Sequence, residues 1–271
     1  MPQIIKNLAD QEYRLAPGVG STDLKNFYHS PGKFNYERRN HSTTPILVNG
    51  SAAHFKVLEP DKFDEVYICI TGSPRKDSKQ FKQIEQDNPG KIILKEPDWV
   101  PMEKMRESVL ENKDAFNLLN AGDPEVSVFW DHKGHPCKGR IDWLRPLPGQ
   151  GHCHVELKTT AKDVWPISDF ERQADQSFWD FQAGWYQEGL HQNGIIVTAT
   201  IFIWVQNKPP YNCTVVEMEQ TWVQSGRNQA NQTMDQLIHW KAQPEENRWN
   251  QHPKGIHYAD KPKWSVREYA Y

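Results

Sequence analysis

Residues 138–158 read KGRIDWLRPLPGQGHCHVELK, and this stretch decides the class of fold. Charged and apolar residues alternate with period two on both sides of the Pro/Gly-rich segment RPLPGQG, which is typical of two short β-strands joined by a turn. In the second strand His154, Glu156 and Lys158 would share one face, with the apolar residues between them on the other. A hairpin would bring Asp142 of the first strand beside Glu156.

Two carboxylates and a lysine that converge in this way suit a divalent metal ion working on a phosphate. Carboxylate oxygens hold a hard cation, and the ammonium group orients the attacking water or stabilises the developing negative charge. Charged residues that alternate along a strand are more often a solvated face, and a D-x(n)-E-x-K pattern alone is loose. The hairpin therefore indicates a metal-dependent site for phosphate chemistry only if other parts of the chain support it.

Length and composition narrow the class of protein. The 271 residues suit one sizeable α/β domain, and a hydrophobic fraction of 37% with 11 Trp can form a substantial core. A net charge of −3 argues against a surface coated in basic residues, but it leaves room for a narrow basic groove. The four cysteines form no C-x-x-C pair, which is typical of reduced thiols. With no signal peptide and no apolar run near the ~18 residues of a membrane helix, the sequence predicts a soluble cytoplasmic protein.

The chain has no internal repeats and no interdomain linker, so it predicts one domain over residues 1–271. Residues 1–45 are polar and turn-rich with a short helix, residues 46–243 carry the core, and residues 244–271 are a polar tail expected to be extended. Within the core, apolar periodicity and turn residues predict the secondary structure. The predicted strands outside the hairpin are 63–70, 125–130, 195–206 and 213–218. The predicted helices are 49–59, 99–119, 169–192 and 222–242.

Four residues outside the hairpin attract attention. His54 lies on the apolar stripe of the predicted helix NGSAAHFKVLE, where a lone histidine is more often a core residue than a ligand. Glu125 begins a predicted strand near the hairpin and is a candidate for an additional acidic group. Gln182 and Tyr186 lie one turn apart on a later helix, so they can reach one partner together.

Other chemistries lack their signatures. The sequence contains no G-x-S-x-G, no phosphate-binding glycine loop and no G-x-G-x-x-G. Imidazole and thiolate groups do cluster around the hairpin, and both are zinc ligands. Their spacing fits no familiar zinc finger, and two adjacent members would face opposite sides of a strand. The members of this cluster are His132, His135, Cys137, His152, Cys153 and His154.

Taken in order along the chain, these segments resemble the PD-(D/E)xK nuclease superfamily, within it the RecB-like group, and most of all the nuclease domain of the RecE exonuclease family (exodeoxyribonuclease VIII). The likeness covers about residues 15–205. GVGSTDLKNFYHSPGKFNYER resembles the segment that leads into that domain, and NGSAAHFKVLEPDKF resembles its histidine-bearing helix. GRIDW and ELK match the metal-binding aspartate and the glutamate–lysine pair, and QAGWY matches the Q-x-x-x-Y signature.

The resemblance implies an α/β fold with a restriction-endonuclease-like core, in which helices flank a central mixed β-sheet. It implies Mg²⁺ as the cofactor, with Mn²⁺ as an alternative and two ions in each active site. The metal ligands that it implies are His54, Asp142, Glu156 and the Leu157 backbone carbonyl. The catalytic residues that it implies are Asp142, Glu156, Lys158, Gln182 and Tyr186.

The implied activity is hydrolysis of duplex DNA from its ends, in the 5′ to 3′ direction, to supply single strands for phage-type recombination in a bacterial host cell. A ring-shaped homo-oligomer and a single-strand annealing partner follow by analogy alone. Two alternatives stay open: a structure-specific or restriction-type endonuclease with the same core, and a non-catalytic DNA-binding accessory protein. Candidates for basic contacts along the DNA path are Lys33, Arg75, Lys76 and Arg172.

Overall fold

The computed structural model of the chain describes residues 2–40 and 45–245, together with residues 248, 255, 256, 258 and 259. For residues 45–49 it describes the backbone only. Most of the predicted tail over 244–271 therefore lies outside the described residues. None of the described helices has both the length and the apolar character needed to cross a membrane.

The strands form one large mixed sheet and one small parallel pair. In the large sheet the order is β1-β4-β5-β6-β7-β8, and all neighbours are antiparallel except β6 and β7. The second pair joins β2 to β3. The strands are β1 (Gln3–Ile5), β2 (Tyr67–Ile70), β3 (Ile92–Lys95), β4 (Asp123–His132), β5 (His135–Leu147), β6 (Gly151–Thr160), β7 (Val197–Gln206) and β8 (Cys213–Glu217). The mixed sheet confirms the predicted class of fold.

Helices cover both faces of this sheet. They are α1 (Asp10–Leu15), α2 (Ser21–His29), α3 (Pro31–Arg39), α4 (Pro45–Leu58), α5 (Pro60–Val66), α6 (Lys79–Asp87), α7 (Glu96–Glu111), α8 (Lys113–Leu119), α9 (Ile167–Gln176), α10 (Trp179–Gln192) and α11 (Gln220–Ala242). The pair α9 and α10 forms the crossover connection that the parallel strands β6 and β7 require.

The two faces of the sheet have separate cores. On one face α10 and α11 pack against β4 and β5, with Phe181 and Trp185 of α10 buried near Val128. On the other face α4 and α7 pack against β6 and β7, with Met105 of α7 buried near Val155. The period-two alternation predicted for β6 is therefore confirmed, because its apolar residues enter one core while its polar residues face α10.

The strand predicted over residues 63–70 is half wrong. Residues 60–66 form α5, and only Tyr67–Ile70 are a strand. The helix predicted over 49–59 does end before Pro60, at Leu58, but Pro60 also starts a further helix. A proline in the first helical turn loses no hydrogen bond, because the amides of that turn have no partner within the helix.

Two predicted long helices are each a pair of shorter ones. Residues 99–119 fall into α7 and α8, and Asn112 between them accepts hydrogen bonds from the first amides of α8. Residues 169–192 fall into α9 and α10, separated at Ser177 and Phe178. Phe178 has φ of 58°, in the left-handed region, so a continuous helix cannot pass through it. The break redirects α10 so that it lies across β4 and β5.

Glycines allow α10 to approach its neighbours closely. A Cβ atom on Gly226 of α11 would lie 2.2 Å from the Asp180 carbonyl oxygen of α10, and one on Gly184 of α10 would lie 2.2 Å from the Arg227 backbone nitrogen. A Cβ atom on Gly139 of β5 would lie 2.8 Å from the ring of Tyr186. The position of α10 on the sheet therefore depends on the absence of side chains at these three positions.

We expect Gly226→Ala to lower the free energy of unfolding by about 1–3 kcal/mol, because the added methyl group overpacks the contact between the two helices. Gly50→Ala is the matched control, since Gly50 lies within α4 and, among the described residues, a Cβ atom there has no neighbour within 4 Å. That control should be neutral or stabilising by up to about 1 kcal/mol. Urea denaturation of both variants measures the difference, and equal effects would contradict this account of the helix contact.

Candidate active site

The predicted hairpin is present, and its two strands separate at the candidate site. Pairing between β5 and β6 runs from the turn to Trp143 and Val155, and continuing that register by one residue places Asp142 opposite Glu156. Beyond this point the Leu157 amide donates a hydrogen bond of 2.8 Å to Oδ2 of Asp142 instead of to the β5 backbone. The Asp142 side chain thus fills the space that opens between the strands.

A group of metal-ligand type forms around Asp142. One donor atom each from His54 of α4, Glu125 of β4 and Asp142 of β5 lie within 4.8 Å of one another. His54 Nδ1 is 3.5 Å from Oδ2 of Asp142. Glu125 has φ of 48°, where non-glycine residues are uncommon, and the regular pairing of β4 with β5 skips it. This backbone irregularity places the Glu125 carboxylate beside Asp142.

The electrostatics of this group favour a cation. Burial and the charge of Glu156 raise the pKa of Asp142 to about 7. Burial and the charge of Asp142 raise the pKa of Glu125 to about 7. Burial lowers the pKa of His54, which keeps its imidazole neutral and available as a ligand. One imidazole and two carboxylates that repel each other fit a divalent cation, because its charge would stabilise both ionised acids.

Glu156 lies in a different environment, although it is only 1% exposed. Its Oε1 is 2.7 Å from His154 Nε2, and its Oε2 accepts a hydrogen bond of 2.7 Å from Lys158 Nζ. Burial acts to raise the pKa of Glu156, but Lys158 and His154 outweigh it and hold the pKa at about 2. The structure therefore groups Glu125 with His54 and Asp142, while Glu156 pairs with Lys158. A metal-binding role for Glu156 stays a prediction.

Lys158 is held as a cation from two directions. Burial opposes its charge, but Glu156 and Asp142 together raise its pKa. Gln182 Oε1 accepts a hydrogen bond of 3.4 Å from Lys158 Nζ. The Gln182 amide nitrogen lies 3.4 Å from Oε2 of Glu156 and donates to the Tyr186 hydroxyl at 3.1 Å. Gln182 and Tyr186 are therefore hydrogen-bonded to each other, and it is Gln182 that lies within hydrogen-bonding distance of Lys158 and Glu156; a partner shared by both stays a prediction.

The predicted backbone ligand Leu157 lies beside this group. Its amide donates a hydrogen bond to Asp142. Its backbone also hydrogen-bonds with the His54 ring, and this interaction acts to raise the pKa of His54. An accepting carbonyl oxygen has this effect, because it favours the protonated ring. The carbonyl of Leu157 thus faces the side of the site where His54 lies, which is compatible with its predicted role.

Sequence reasoning did not single out two charged residues near the site. Arg140 of β5 forms an ion pair with Glu125, with Nε 2.9 Å from Oε2. Lys25 of α2 is half-buried and interacts electrostatically with Lys158 and Glu156. Period two in β5 places Arg140 and Asp142 on one face, which was a usable signal. For Lys25 the only signal in the sequence is that it lies one helical turn after Ser21.

The four basic residues predicted along the DNA path are all exposed. Lys33 lies in the first turn of α3, and Arg75 and Lys76 lie in the loop that precedes α6. Arg75 pairs with Asp77 and Arg172 pairs with Asp169. Within the described part of the chain, the structure brings none of the four into hydrogen-bonding contact with the hairpin carboxylates. Their role as DNA contacts stays a prediction.

A mixed sheet with an aspartate on one strand, Glu-x-Lys on the next and a histidine on a flanking helix defines the PD-(D/E)xK class of nuclease fold. Residues 20–252 match the model of the family described as "PDDEXK-like domain of unknown function (DUF3799)", and the chain belongs to this family. This confirms the superfamily predicted from the sequence. The narrower likeness to RecE exonucleases stays a prediction.

The chain is similar to solved structures, one of which shows the same fold. A "Putative exonuclease" from Eubacterium rectale superposes with a TM-score of 0.59 at 14% sequence identity, covering 93% of this chain and 96% of that one. A "phage related exonuclease" from Haemophilus somnus 129PT has a TM-score of 0.36 at 13% identity, covering 85% of this chain and 99% of that one. No curated protein matches the chain. The first of these likenesses supports the architecture described above.

The raised pKa values predict how metal binding depends on pH. The folded-state pKa of Asp142 and of Glu125, each about 7, lies above the ordinary value near 4. Between about pH 4 and pH 7 the folded protein therefore holds more protons than the unfolded chain, and the stability that these groups contribute falls as pH rises through that window. A bound cation removes this penalty by stabilising the ionised acids, whereas protons compete with it in acid.

We expect Mg²⁺ to raise the Tm more at pH 8 than at pH 5.5. At pH 8 and a hundredfold excess over its Kd, binding should add about 2.7 kcal/mol to the free energy of unfolding. Asp142→Asn should abolish most of this increase, because it removes the carboxylate at the centre of the group. Asp77→Asn is the matched control, since Asp77 is an exposed loop residue paired with Arg75. Thermal melts with and without Mg²⁺ measure the effect. An increase that is independent of pH, or that survives in Asp142→Asn, would contradict the assignment.

Proposed function

We propose that this domain is a metal-dependent exodeoxyribonuclease that hydrolyses phosphodiester bonds of duplex DNA from its ends, in the 5′ to 3′ direction. The observation that carries the proposal is the adjacency of two groups. His54, Glu125 and Asp142 converge at the opening between β5 and β6, and the charged Glu156–Lys158 pair lies directly beside them. Acidic ligands next to a buried ammonium group suit the cleavage of an anionic ester.

The residues on the metal side fit a hard cation. His54, Glu125 and Asp142 would hold the ion, with Glu156 and the Leu157 carbonyl as further ligands. When bound, Mg²⁺ supplies an activated water and charge neutralisation at the phosphate. We infer Mg²⁺ rather than zinc, because the donor group has two carboxylates and lacks a thiolate. A second ion would take its ligands from the same group.

The side chains between β6 and α10 would bind the phosphate and stabilise its charge during cleavage. Lys158, which stays protonated, would hold the attacking water in line and stabilise the negative charge that develops on the phosphate oxygens. Gln182 would fix the direction of the Lys158 ammonium, and Tyr186 would fix the Gln182 amide. Burial raises the pKa of Tyr186, so its hydroxyl remains a hydrogen-bonding group.

The preference for DNA ends rests on the RecE-like motifs of the sequence and on the description of one protein with this fold as a "Putative exonuclease". The resemblance to RecE exonucleases also suggests a ring-shaped homo-oligomer, a single-strand annealing partner and a role in phage-type recombination. These assignments are part of the proposal and rest on analogy.

Digestion of linear duplex beside covalently closed circular DNA tests the proposal. With Mg²⁺, the linear molecule should be degraded while the circle survives, and EDTA should prevent the degradation. A 5′-labelled end released early as mononucleotide would establish the 5′ to 3′ direction. Cutting of the closed circle would overturn the exonuclease in favour of an endonuclease, and folded protein that binds DNA without cleaving it would favour an accessory role.

Lys158→Ala should abolish cleavage while leaving DNA binding largely intact, because the ammonium group acts on the one reacting phosphate whereas binding is spread over many phosphates of the duplex. Lys104→Ala, which removes an exposed lysine paired with Glu107, is the matched control and should keep full activity. Cleavage assays and fluorescence anisotropy on the same DNA measure both properties. Turnover by Lys158→Ala equal to that of the unmodified protein would contradict the assignment.

A further inference from the structure

Helix α2 packs beside α10 in antiparallel orientation, and two contacts fix its register. Near the start of α2, the Ser21 hydroxyl lies 3.5 Å from the Tyr186 hydroxyl. Near its end, the ring of Tyr28 lies 5.3 Å, centroid to centroid, from the ring of Phe178, which precedes α10. Moving forward along α2 therefore means moving backward along α10.

This register places Lys25 opposite Gln182. Lys25 follows Ser21 by one helical turn, and Gln182 precedes Tyr186 by one helical turn, so both lie between the two contacts and on the contacting faces. The Gln182 side chain itself touches Lys158 and Glu156. The Lys25 ammonium group thus lies near the catalytic pair, and its charge interacts with the charges of Lys158 and Glu156.

The charges around Lys25 do not balance. Glu156, the acid whose charge interacts with Lys25, already forms a hydrogen-bonded ion pair of 2.7 Å with Lys158. Within the described residues, Lys25 forms no hydrogen bond or ion pair of its own. Burial and the Lys158 charge lower the pKa of Lys25 to about 8. A half-buried ammonium beside a second ammonium is unfavourable unless an anion joins them.

We propose that Lys25 binds a phosphate group of the substrate strand beside the phosphate that faces Lys158. The inference rests on the proposed nuclease function, because it is the neighbouring catalytic groups that make phosphate the expected anion. In this arrangement each lysine faces its own phosphate of the strand, the negative charge of the strand separates the two ammonium groups, and α2 forms one wall of the substrate channel. The phosphate is either an internal diester of the strand or the monoester at its 5′ end.

The test measures DNA binding at several salt concentrations in the Lys158→Ala background, in which cleavage is expected to be lost. Lys25→Ala should weaken binding about tenfold, the loss of one charge-assisted hydrogen bond. It should also reduce the slope of log Kd against log salt by about 0.9, the value for one duplex phosphate contact. Lys25→Arg should keep the slope, because it keeps the charge.

Two control variants separate binding from structure. Lys104→Ala removes a lysine that is already neutralised by Glu107, and Thr22→Ala alters an exposed position on α2 itself. Neither should change the slope. If Lys25 only supports the packing of α2, Lys25→Ala will lower the Tm and leave the slope unchanged, and that result would overturn the inference. Duplexes with a 5′-phosphate and a 5′-hydroxyl distinguish the two phosphates, since a defect confined to the former identifies the terminal group.

The outcome is distinguishable from failure of the proposed function. If the unmodified protein cleaves DNA and Lys25→Ala binds it with an unchanged slope, the role of Lys25 is wrong and the nuclease assignment stands. If the unmodified protein cleaves no DNA but the slope still depends on Lys25, the phosphate contact stands and the nuclease assignment is wrong. If it neither cleaves nor binds DNA, both are overturned.

Discussion

The burial of the Glu156 carboxylate is the constraint on which the site depends. A fully desolvated carboxylate is costly unless partners compensate its charge, and removing one partner of such a group is far more damaging than removing an exposed one. Here Lys158 and His154 of the same strand supply the compensation, and Gln182 reaches the group from α10. The polar face of β6 is thereby tied to the helix that covers it, and the ammonium of Lys158 is held charged where water is largely excluded.

The metal-ligand group exists because regular pairing is interrupted at neighbouring places. The ladder of β5 and β6 ends just before Asp142, so the Leu157 amide turns to the Asp142 carboxylate. The ladder of β4 and β5 skips Glu125, which has a left-handed backbone conformation. Such strain is retained only where the surrounding structure determines it, and it often marks functional positions. Both irregularities direct oxygen atoms into one opening between the strands.

Small residues position the second layer of the site. Gly139 in the GRID segment leaves room for the Tyr186 ring, and Gly184 lets α11 press α10 toward the sheet. The resulting position of α10 sets the distance from Gln182 to Lys158. Gly139 therefore determines how closely α10 packs on β5, whereas Asp142 of the same segment takes part in the chemistry of the site.

The sequence by itself determined the hairpin with Asp142, Glu156 and Lys158, and the pairing of Gln182 with Tyr186, because period two and period 3.6 are local properties that fix which side chains share a face. It also missed α5, which begins at Pro60, and it predicted helices that continue through Asn112 and Phe178, where a cap and a left-handed residue overrode apolar periodicity. Only the tertiary structure decided that Glu125 joins His54 and Asp142, that Glu156 turns to Lys158, and that Lys25 stands beside them. These relations join elements distant in the chain, so they depend on helix packing and strand divergence that no local pattern encodes.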